Sequence, residues 1–475
     1  MSKTFQSLEQ YNYKLWFAGN IFASSGLWMQ RVAQDWLVLT VLTSGGGFQV
    51  GVVTALQFLP ILLFSPWAGL AADRLDRRRL IQITQSVTAS MGLLLGVLVL
   101  TGTAQLWMVY ILAFVGGIAS AFDGPVRQAF VSELVPAWML PNAVALNSTA
   151  FNSARLIGPA LSGVIIDAVG PGWVFIVNAG LFLVPVLALA LMRKDELSEP
   201  PRVPREKGQI REAIRYVKNR RDIVLILIII GVVSCLGLNF QLTSALMATQ
   251  EYGLEAGGYG LMSTFLAIGA LSGSLIIARY ANPRLRVIVL AAFGFGLFLG
   301  GLALAPTYAW FLVIAIPTGV MSMTLIATAN ASVQISTEPQ FRGRVMALYS
   351  MIFMGSTPIG APIIGWIGEH IGARWAIGVG SIATLATAIL VGFWGWFVLG
   401  IRLQFDPHHL VPRLLVPGEN PDLSREERIE LALDEDRKVA DEVEGDEAAG
   451  EDGGQPDKPR RGGEKRREDE EKSSD

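Results

Sequence analysis

The chain has 475 residues and a formal net charge of −2; 52% of its residues are hydrophobic and 16% are charged, whereas soluble domains are roughly 25% charged. Its single cysteine cannot form an internal disulfide, and its three histidines all follow residue 369 and offer no metal cluster. We find no phosphate-binding P-loop and no Ser/His/Asp arrangement, so the sequence predicts a membrane protein that is not an enzyme and uses no cofactor.

Twelve apolar segments follow one another along the chain, each long enough to cross about 30 Å of hydrocarbon. They lie at residues 14–41, 49–72, 80–101, 106–123, 142–166, 173–192, 222–247, 256–278, 287–305, 308–330, 345–367 and 376–400. Long continuous runs predict helices rather than the alternating strands of a closed barrel. The first run follows a polar start, so we expect it to remain as a span instead of being cleaved as a signal peptide.

A repeat relates the two halves of the chain. Residues 157–173 read IGPALSGVIIDAVGPGW, and residues 359–375 read IGAPIIGWIGEHIGARW. A period of about 200 residues is too long for a solenoid and fits a duplicated six-helix half, as in transporters that bind substrate between two halves. The predicted fold class is therefore an all-α integral membrane protein, with twelve transmembrane helices in two pseudo-symmetric six-helix bundles.

The same patterns predict four regions. They are an N-terminal bundle at 1–192, a cytoplasmic linker with an amphipathic helix at 193–221, a C-terminal bundle at 222–402, and an acidic, largely disordered cytoplasmic tail at 403–475. We expect a monomer whose partners are the lipid bilayer and a small-molecule substrate, and no nucleic acid.

Basic residues collect in alternate loops, as the positive-inside rule describes. Those loops contain Arg74, Arg77, Arg78, Arg79, Arg127, Arg279, Arg284, Arg286, Arg342 and Arg344, and the linker carries more. The exception is Arg374, which follows span eleven. We therefore expect a multi-pass protein of the cell membrane with both termini in the cytoplasm.

The loop after span two carries a motif. Residues 69–79 read GLAADRLDRRR. The stretch resembles the loop 2–3 signature of the major facilitator superfamily, G-x-x-x-D-R-x-G-R-R-[KR], except that Asp76 replaces a glycine. The resemblance implies a latch that breaks and reforms between conformations, with residues Gly69, Asp73, Arg74, Arg77 and Arg78. Asp123 and Arg127 lie at the cytoplasmic end of span four, and we expect them to act in this latch as gate or topology residues rather than as substrate ligands. A basic loop that only sets topology is the alternative reading.

Three further stretches resemble a branch of bacterial efflux permeases, the enterobactin-exporter-like and macrolide-efflux-like proteins. They are WMQRVAQDW at 28–36, AFDGPVRQAFVSELVP at 121–136 and NSTAFNSARLIGPALSG at 147–163. In the last stretch, Gly158, Pro159 and Gly163 would allow a bend and close packing where the half must hinge. The resemblance covers about residues 8–400.

Ionisable groups at bilayer depth are costly, so they normally face a cavity or a partner. Arg31 and Asp35 are i,i+4 neighbours in span one, with Gln34 beside them. Either they satisfy each other, or Asp35 exchanges protons in a central cavity and Arg31 tunes it. Arg155 lies in span five with Asn152 nearby. It either bonds one helix to another or provides a counter-charge for an anionic substrate or for Asp35.

In the second half, the predicted cavity residues are Asn239, Gln241 and Asn330, and we expect Asp167 and Glu369 to close the external side. Together with the resemblance, these residues predict a secondary active transporter that exports small amphipathic or lipophilic molecules of the drug or siderophore type, by proton antiport and alternating access. The proton gradient would supply the energy. The alternatives are an uptake permease for a small nutrient and a non-transporting membrane sensor or scaffold.

Overall fold

The structure is a computed structural model that describes residues 3–197, 209–279, 285–399, 402–404 and 413–415. The predicted acidic tail from Glu419 onward, part of the linker, Arg284 and the Asp73 side chain lie outside the described part. Two compact units are present, Met1–Val398 and Leu399–Asp475. In the second unit, strand β1 (Arg402–Gln404) pairs antiparallel with β2 (Arg413–Leu415), a ladder that the sequence analysis does not predict.

In the described residues the chain forms fifteen α-helices. They are α1 Tyr11–Trp36, α2 Gly47–Arg74, α3 Arg77–Leu100, α4 Leu106–Leu134, α5 Leu140–Val169, α6 Pro171–Leu191, α7 Gln209–Asn219, α8 Arg221–Val232, α9 Phe240–Leu246, α10 Ala256–Arg279, α11 Leu285–Ala303, α12 Tyr308–Ile335, α13 Pro339–Gly355, α14 Thr357–His370 and α15 Ala373–Leu399. Short 3₁₀-helical segments lie at Lys3–Glu9, Ala137–Met139 and Lys194–Glu196, and π-helical turns at Leu37–Leu42, Val233–Gly237 and Met247–Glu251.

These helices confirm the all-α membrane fold, with α1–α6 in the N-terminal half and α8–α15 in the C-terminal half. Span seven is built from α8 and α9 with π-turns, and span eleven from α13 and α14, which are separated at Ser356. Helix α7 lies in the predicted linker. It packs on α13, where the rings of Tyr216 and Phe341 stack with centroids 4.6 Å apart.

Ten helical stretches of the described residues are long and apolar enough to cross a membrane by length and composition. Helices α1 and α5 are long enough but do not join them, because each carries polar residues along its middle. Arg31 and Asp35 lower the hydropathy of α1, and Asn152 and Arg155 lower that of α5. The two least apolar spans are thus the two that carry the deep charges.

The end of span four differs from the sequence prediction. The predicted span stops at residue 123, whereas α4 continues to Leu134 with Pro125 inside it. Asp123 and Arg127 are therefore helical residues and do not lie in a loop. The continuous helix places them one turn apart on the same face, where they can bond to each other and to neighbouring helices.

The repeat corresponds to equivalent close contacts between helices. A Cβ on Gly158 would lie 2.7 Å from Trp28 Cβ of α1, and a Cβ on its repeat partner Gly360 would collide with the backbone of Cys235 in span seven. A Cβ on Gly163 would lie 2.7 Å from the Ala256 carbonyl oxygen of α10, and one on Gly365 would collide with the Gly47 backbone of α2. The first pair of glycines packs within a half, and the second pair packs across the two halves.

The two halves meet along α2 with α14 and along α5 with α10. We call the end of the helices where Gly47, Val169, Ala256 and His370 lie the far end, and the opposite end, where Arg77 and Leu191 lie, the linker end. Helix α5 is unbroken from Leu140 to Val169 through Gly158 and Pro159. In this structure those residues and Gly163 lie at close helix contacts, and their role as a hinge stays a prediction.

Candidate functional site

A hydrogen bond between the two halves involves the most buried carboxylate of the described residues. Tyr259 Oη of α10 donates to Asp35 Oδ2 of α1 over 3.3 Å, and the ring of Tyr259 stacks on that of Trp36 with centroids 6.3 Å apart. Asp35 is 4% exposed and Tyr259 is 0% exposed. The acid singled out by the sequence is therefore buried where the N-terminal half meets the C-terminal half.

Arg31 and Arg155 lie against one indole ring. Their guanidinium carbons are 5.1 Å and 5.4 Å from the centroid of Trp28, and Arg31 also lies 5.3 Å from the ring of Phe58. Within the described residues neither arginine forms an ion pair or a hydrogen bond, and both readings of Arg31 and Asp35 stay predictions. Arg31 is close enough to Asp35 and to Arg155 for their charges to interact.

Amides line the neighbouring helix faces. Gln57 Nε2 of α2 donates to Gln34 Oε1 over 3.0 Å, and Asn178 Nδ2 of α6 donates to Gln30 Oε1 over 2.7 Å. The structure thus gathers Arg31, Gln34, Asp35 and Arg155 around one part of α1.

The other predicted cavity residues lie apart from the hydrogen bond of Asp35. Asn152 and Asn239 donate to carbonyls of their own helical segments, those of Ser148 and Cys235, each over 2.8 Å. Gln241 lies on α9, which contacts α1, and Gln241 and Asn330 are both partly buried. In the described part of the chain no hydrogen bond joins these four residues to Asp35.

The basic motif after α2 bonds within the N-terminal half. Arg77 Nη1 pairs with Glu133 Oε1 of α4 over 2.6 Å and its Nε donates to the Ala72 carbonyl over 2.8 Å. Arg78 donates to the Leu189 and Ala190 carbonyls at the end of α6, over 2.6 Å and 3.0 Å. A cation satisfies the free carbonyls of a helix C-terminus in this way.

Asp76 stands where the family signature has a glycine. Its Oδ1 accepts a hydrogen bond from Arg79 N over 3.1 Å, so Asp76 caps the N-terminus of α3. Arg74 is exposed, and Gly69 and Asp73 are α2 residues at the same end. The latch role of this set stays a prediction, because the contacts described here remain inside one half.

Asp123 and Arg127 form the centre of a partly buried network. They pair over 2.9 Å; Asp123 Oδ1 also accepts from Thr84 Oγ1 and Gln85 Nε2 of α3, over 2.8 Å and 2.9 Å. Arg127 Nη1 donates to Asn20 Oδ1 of α1 over 2.8 Å. The network joins α1, α3 and α4, so these two residues link helices of the N-terminal half.

At the far end, two acids related by the repeat cap helices of the opposite half. Asp167 Oδ2, near the end of α5, accepts from Gly257 N over 2.8 Å. Glu369 Oε2, near the end of α14, accepts from Phe48 N over 2.9 Å. Gly257 and Phe48 are each the second residue of a helix, where the backbone N–H has no partner within the helix and the helix dipole favours an anion.

Sequence reasoning did not identify Tyr259 or Trp28 as site residues. Tyr259 lies in the glycine-rich start of α10, a place where a buried aromatic residue with a polar tip is unusual, but its partner is distant in sequence. Trp28 opens the quoted WMQRVAQDW stretch, and its spacing of three from Arg31 places the two side chains on one helix face. Among the described residues, no three His, Cys, Asp or Glu side chains cluster as metal ligands would.

The comparisons with known proteins agree on one family. The family model described as transmembrane secretion effector matches residues 2–396. The chain is 25% identical over 383 residues to a staphyloferrin A transporter of Staphylococcus aureus, covering 80% of this chain and 95% of the relative. It is 25% identical over 386 residues to the multidrug efflux pump Tap of Mycolicibacterium fortuitum, covering 78% and 92%.

Other similar proteins are also an efflux protein and transporters. Macrolide efflux protein A of Streptococcus pyogenes is 20% identical over 346 residues, covering 71% of this chain and 85% of the relative. Among solved structures, a POT family transporter in complex with a thioalcohol-conjugated peptide has a TM-score of 0.66 at 12% identity, covering 83% and 99%. A bacterial homologue of the human lysosomal transporter Spinster has a TM-score of 0.60 at 15% identity, covering 81% and 95%.

The two solved structures share the fold, and the family and the relatives are transporters rather than enzymes. The chain is therefore a multi-pass membrane transporter of small molecules, and it belongs to the transmembrane secretion effector family of the major facilitator superfamily.

Proposed function

We propose that the chain exports small amphipathic or lipophilic molecules, of the drug or siderophore type, in exchange for protons that enter through Asp35. The two halves would rock around the buried region of α1 by alternating access. The proton gradient would supply the energy without a cofactor, and the protein would act as a monomer in the cell membrane with both termini in the cytoplasm.

The observation that carries this proposal is the position of Asp35. A carboxylate at bilayer depth is expensive, so it is retained where it serves a pathway or a proton relay. Asp35 is buried in a span, and its hydrogen-bond partner Tyr259 belongs to the opposite half. A group in that position can exchange a proton with either side only when the halves move, which is the requirement for coupled transport.

The direction of transport is supported by the names of the relatives. Two of them are a multidrug efflux pump and a macrolide efflux protein, and a third transports staphyloferrin A.

The test begins in cells that lack their main efflux pumps and express the chain. Efflux of a preloaded, labelled macrolide, and secretion of iron chelators, would identify an exported molecule; accumulation of external label would instead indicate an uptake permease. The exported molecule then serves as the probe in proteoliposomes with an imposed pH gradient.

In those proteoliposomes, Asp35→Asn should abolish transport driven by the pH gradient, because the amide cannot exchange a proton. The matched control is Asp195→Asn, an exposed acid at the linker end, which should retain wild-type transport. Undiminished proton-driven transport by the Asp35→Asn protein would refute the assignment of Asp35.

A further inference from the structure

We propose that Arg31 and Arg155, held against the ring of Trp28, bind the carboxylate group of an exported amphipathic molecule. The inference rests on the proposed function, because it narrows the exported molecules to organic anions, but it does not depend on what drives export. Each of the three side chains is partly buried, so part of each remains open to a small molecule.

The face of α1 that carries these residues is turned to the opposite half. Trp28, Arg31 and Asp35 follow one another at spacings of three and four residues, so they lie on one face of the helix. On that face, Asp35 accepts the hydrogen bond from Tyr259 of α10. Transporters built from two related halves bind their substrates between the halves, and Arg31 lies on the face of α1 that is directed there.

Positive charge exceeds negative charge at this site in the part of the chain that the structure describes. Neither Arg31 nor Arg155 forms an ion pair or a hydrogen bond there, and Asp35 is the acid whose charge acts on Arg31. Two guanidinium groups and one carboxylate leave one positive charge when Asp35 is ionised and two when it is protonated. Because an unbalanced charge at bilayer depth is costly, a bound anion lowers the free energy of the site in either state of Asp35.

The two guanidinium groups keep their hydrogen-bond donors for a ligand. Their carbons lie 5.1 Å and 5.4 Å from the centroid of Trp28, and attraction to the face of a ring uses the charge of a guanidinium without using its N–H groups as hydrogen-bond donors to an oxygen. Paired guanidinium N–H groups match the two oxygens of a carboxylate. The indole N–H of Trp28 is buried and also lacks an acceptor among the described residues. Donors and positive charge together favour a carboxylate over a neutral amide or an ammonium group.

Aromatic rings beside the arginines offer an apolar surface for the rest of the molecule. The ring of Phe58 on α2 lies 5.3 Å from the guanidinium carbon of Arg31, and Phe151 on α5 packs edge-on against Trp28 with centroids 5.8 Å apart. Phe151 is 41% exposed and Phe58 is partly buried. A molecule with a carboxylate on an aromatic body therefore matches both the charge and the rings of this site.

Equilibrium binding to the purified chain in phosphatidylcholine nanodiscs tests the site without a pH gradient. The probes are dansylglycine and dansylglycinamide, which share one fluorescent ring system and differ in that the first carries a carboxylate and the second a neutral amide. Fluorescence titration gives both affinities, and empty nanodiscs give the background. The wild-type chain should bind dansylglycine at least about tenfold more tightly, because a hydrogen bond to a charged group contributes that factor or more.

Variants of the two arginines separate charge from packing. Arg31→Gln and Arg155→Gln should each weaken the binding of dansylglycine about tenfold and leave that of dansylglycinamide unchanged. Arg155→Lys keeps the charge and should keep the preference for the carboxylate. Arg193→Gln is the matched control: it removes an exposed cation of the same half, which pairs with Glu196 over 2.8 Å, and should bind both probes as the wild type does.

The outcomes separate this site from the proposed function. Equal affinities of the wild-type chain for the two probes, or no saturable binding of dansylglycine, would overturn the site, and this comparison needs no variant to fold. Equal weakening of both probes in Arg155→Gln would show that Arg155 only holds helices together. If the preference for the carboxylate is absent while Asp35→Asn abolishes proton-driven transport, the site is refuted and the proposed function stands. If the preference is present while Asp35→Asn transports undiminished, the proton route is refuted and the site stands.

Discussion

Arg31 and Arg155 place two positive charges against one indole ring inside the N-terminal half. In the part of the chain that the structure describes, Asp35 is the acid whose charge acts on Arg31, and no acid forms an ion pair with either guanidinium. The interior around Trp28 therefore carries an excess of positive charge whenever Asp35 is protonated. Such a potential repels cations and favours neutral or anionic molecules.

This excess gives a prediction about selectivity. Arg155→Gln should raise the efflux of ethidium, a cation, about thirtyfold relative to that of neutral Nile red, because one unit charge at roughly 8–10 Å is worth about 2 kcal/mol at an effective dielectric constant near 20 and every 1.4 kcal/mol is a factor of ten. Efflux of both dyes from preloaded cells measures the ratio. Arg220→Gln is the control, since Arg220 pairs with Asp222 over 2.8 Å at the linker end. An unchanged dye ratio in Arg155→Gln would contradict the charge argument.

At the scale of helices, the far end is held by two equivalent caps: Asp167 of α5 caps α10, and Glu369 of α14 caps α2. Removing a capping side chain costs about 1 kcal/mol. Asp167→Ala and Glu369→Ala should therefore each shift the closed-to-open ratio several-fold toward open, and the double variant should shift it by about the product. Because the two caps lie in separate interfaces, additivity is expected.

The rate at which a maleimide modifies Ala361→Cys in a Cys235→Ser chain measures that opening, because Ala361 is buried where α14 packs against Gly51 of α2, between the halves and inward of the far end. Glu251→Ala is the control: Glu251 pairs with Arg374 over 2.7 Å at the same end but inside the C-terminal half. Equal acceleration by the control would show general loosening instead of loss of the caps. No acceleration in either cap variant would refute closure by these acids.

How well the sequence predicted the structure differs from helix to helix. Apolar runs predicted the spans, and the repeat predicted two related halves, because burial in lipid demands long apolar helices. The end of α4 was predicted wrongly: the apolar span was ended at residue 123, but Asp123 and Arg127 bond to α3 and α1, and the helix continues to Leu134. Local pattern does not reveal such partners.

For the candidate site, too, the sequence did not reveal partners that are distant along the chain. A buried acid in span one could be predicted from the sequence alone, since Asp35 is a charge within an apolar run. Its partner could not, because the contact with Tyr259 depends on how α10 is rotated and seated against α5, which is set by the close packing of Gly163 and Gly260. The symmetry of the repeat also hides an asymmetry: where α5 carries Arg155, the second copy has Thr357, the first residue of α14.

For the whole molecule, the distribution of positive charge predicts orientation. The basic motif after α2, Arg193 and the linker lie at the linker end, whereas Arg374 is the exception at the far end. Arg374 pairs with Glu251 and donates to the Ala303 and Ala305 carbonyls, each over 3.0 Å. A cation neutralised in this way is a weak topological signal, so it does not oppose the others.

We therefore expect the linker end to be cytoplasmic. In a Cys235→Ser chain, a cysteine at Thr103 should react with a membrane-impermeant maleimide in intact cells, because this exposed residue lies in the far-end loop between α3 and α4. A cysteine at Asp195, exposed at the linker end, should react only after the cells are permeabilised. The reverse pattern would place the far end in the cytoplasm, and proton entry from outside would then have to reach Asp35 through the linker end.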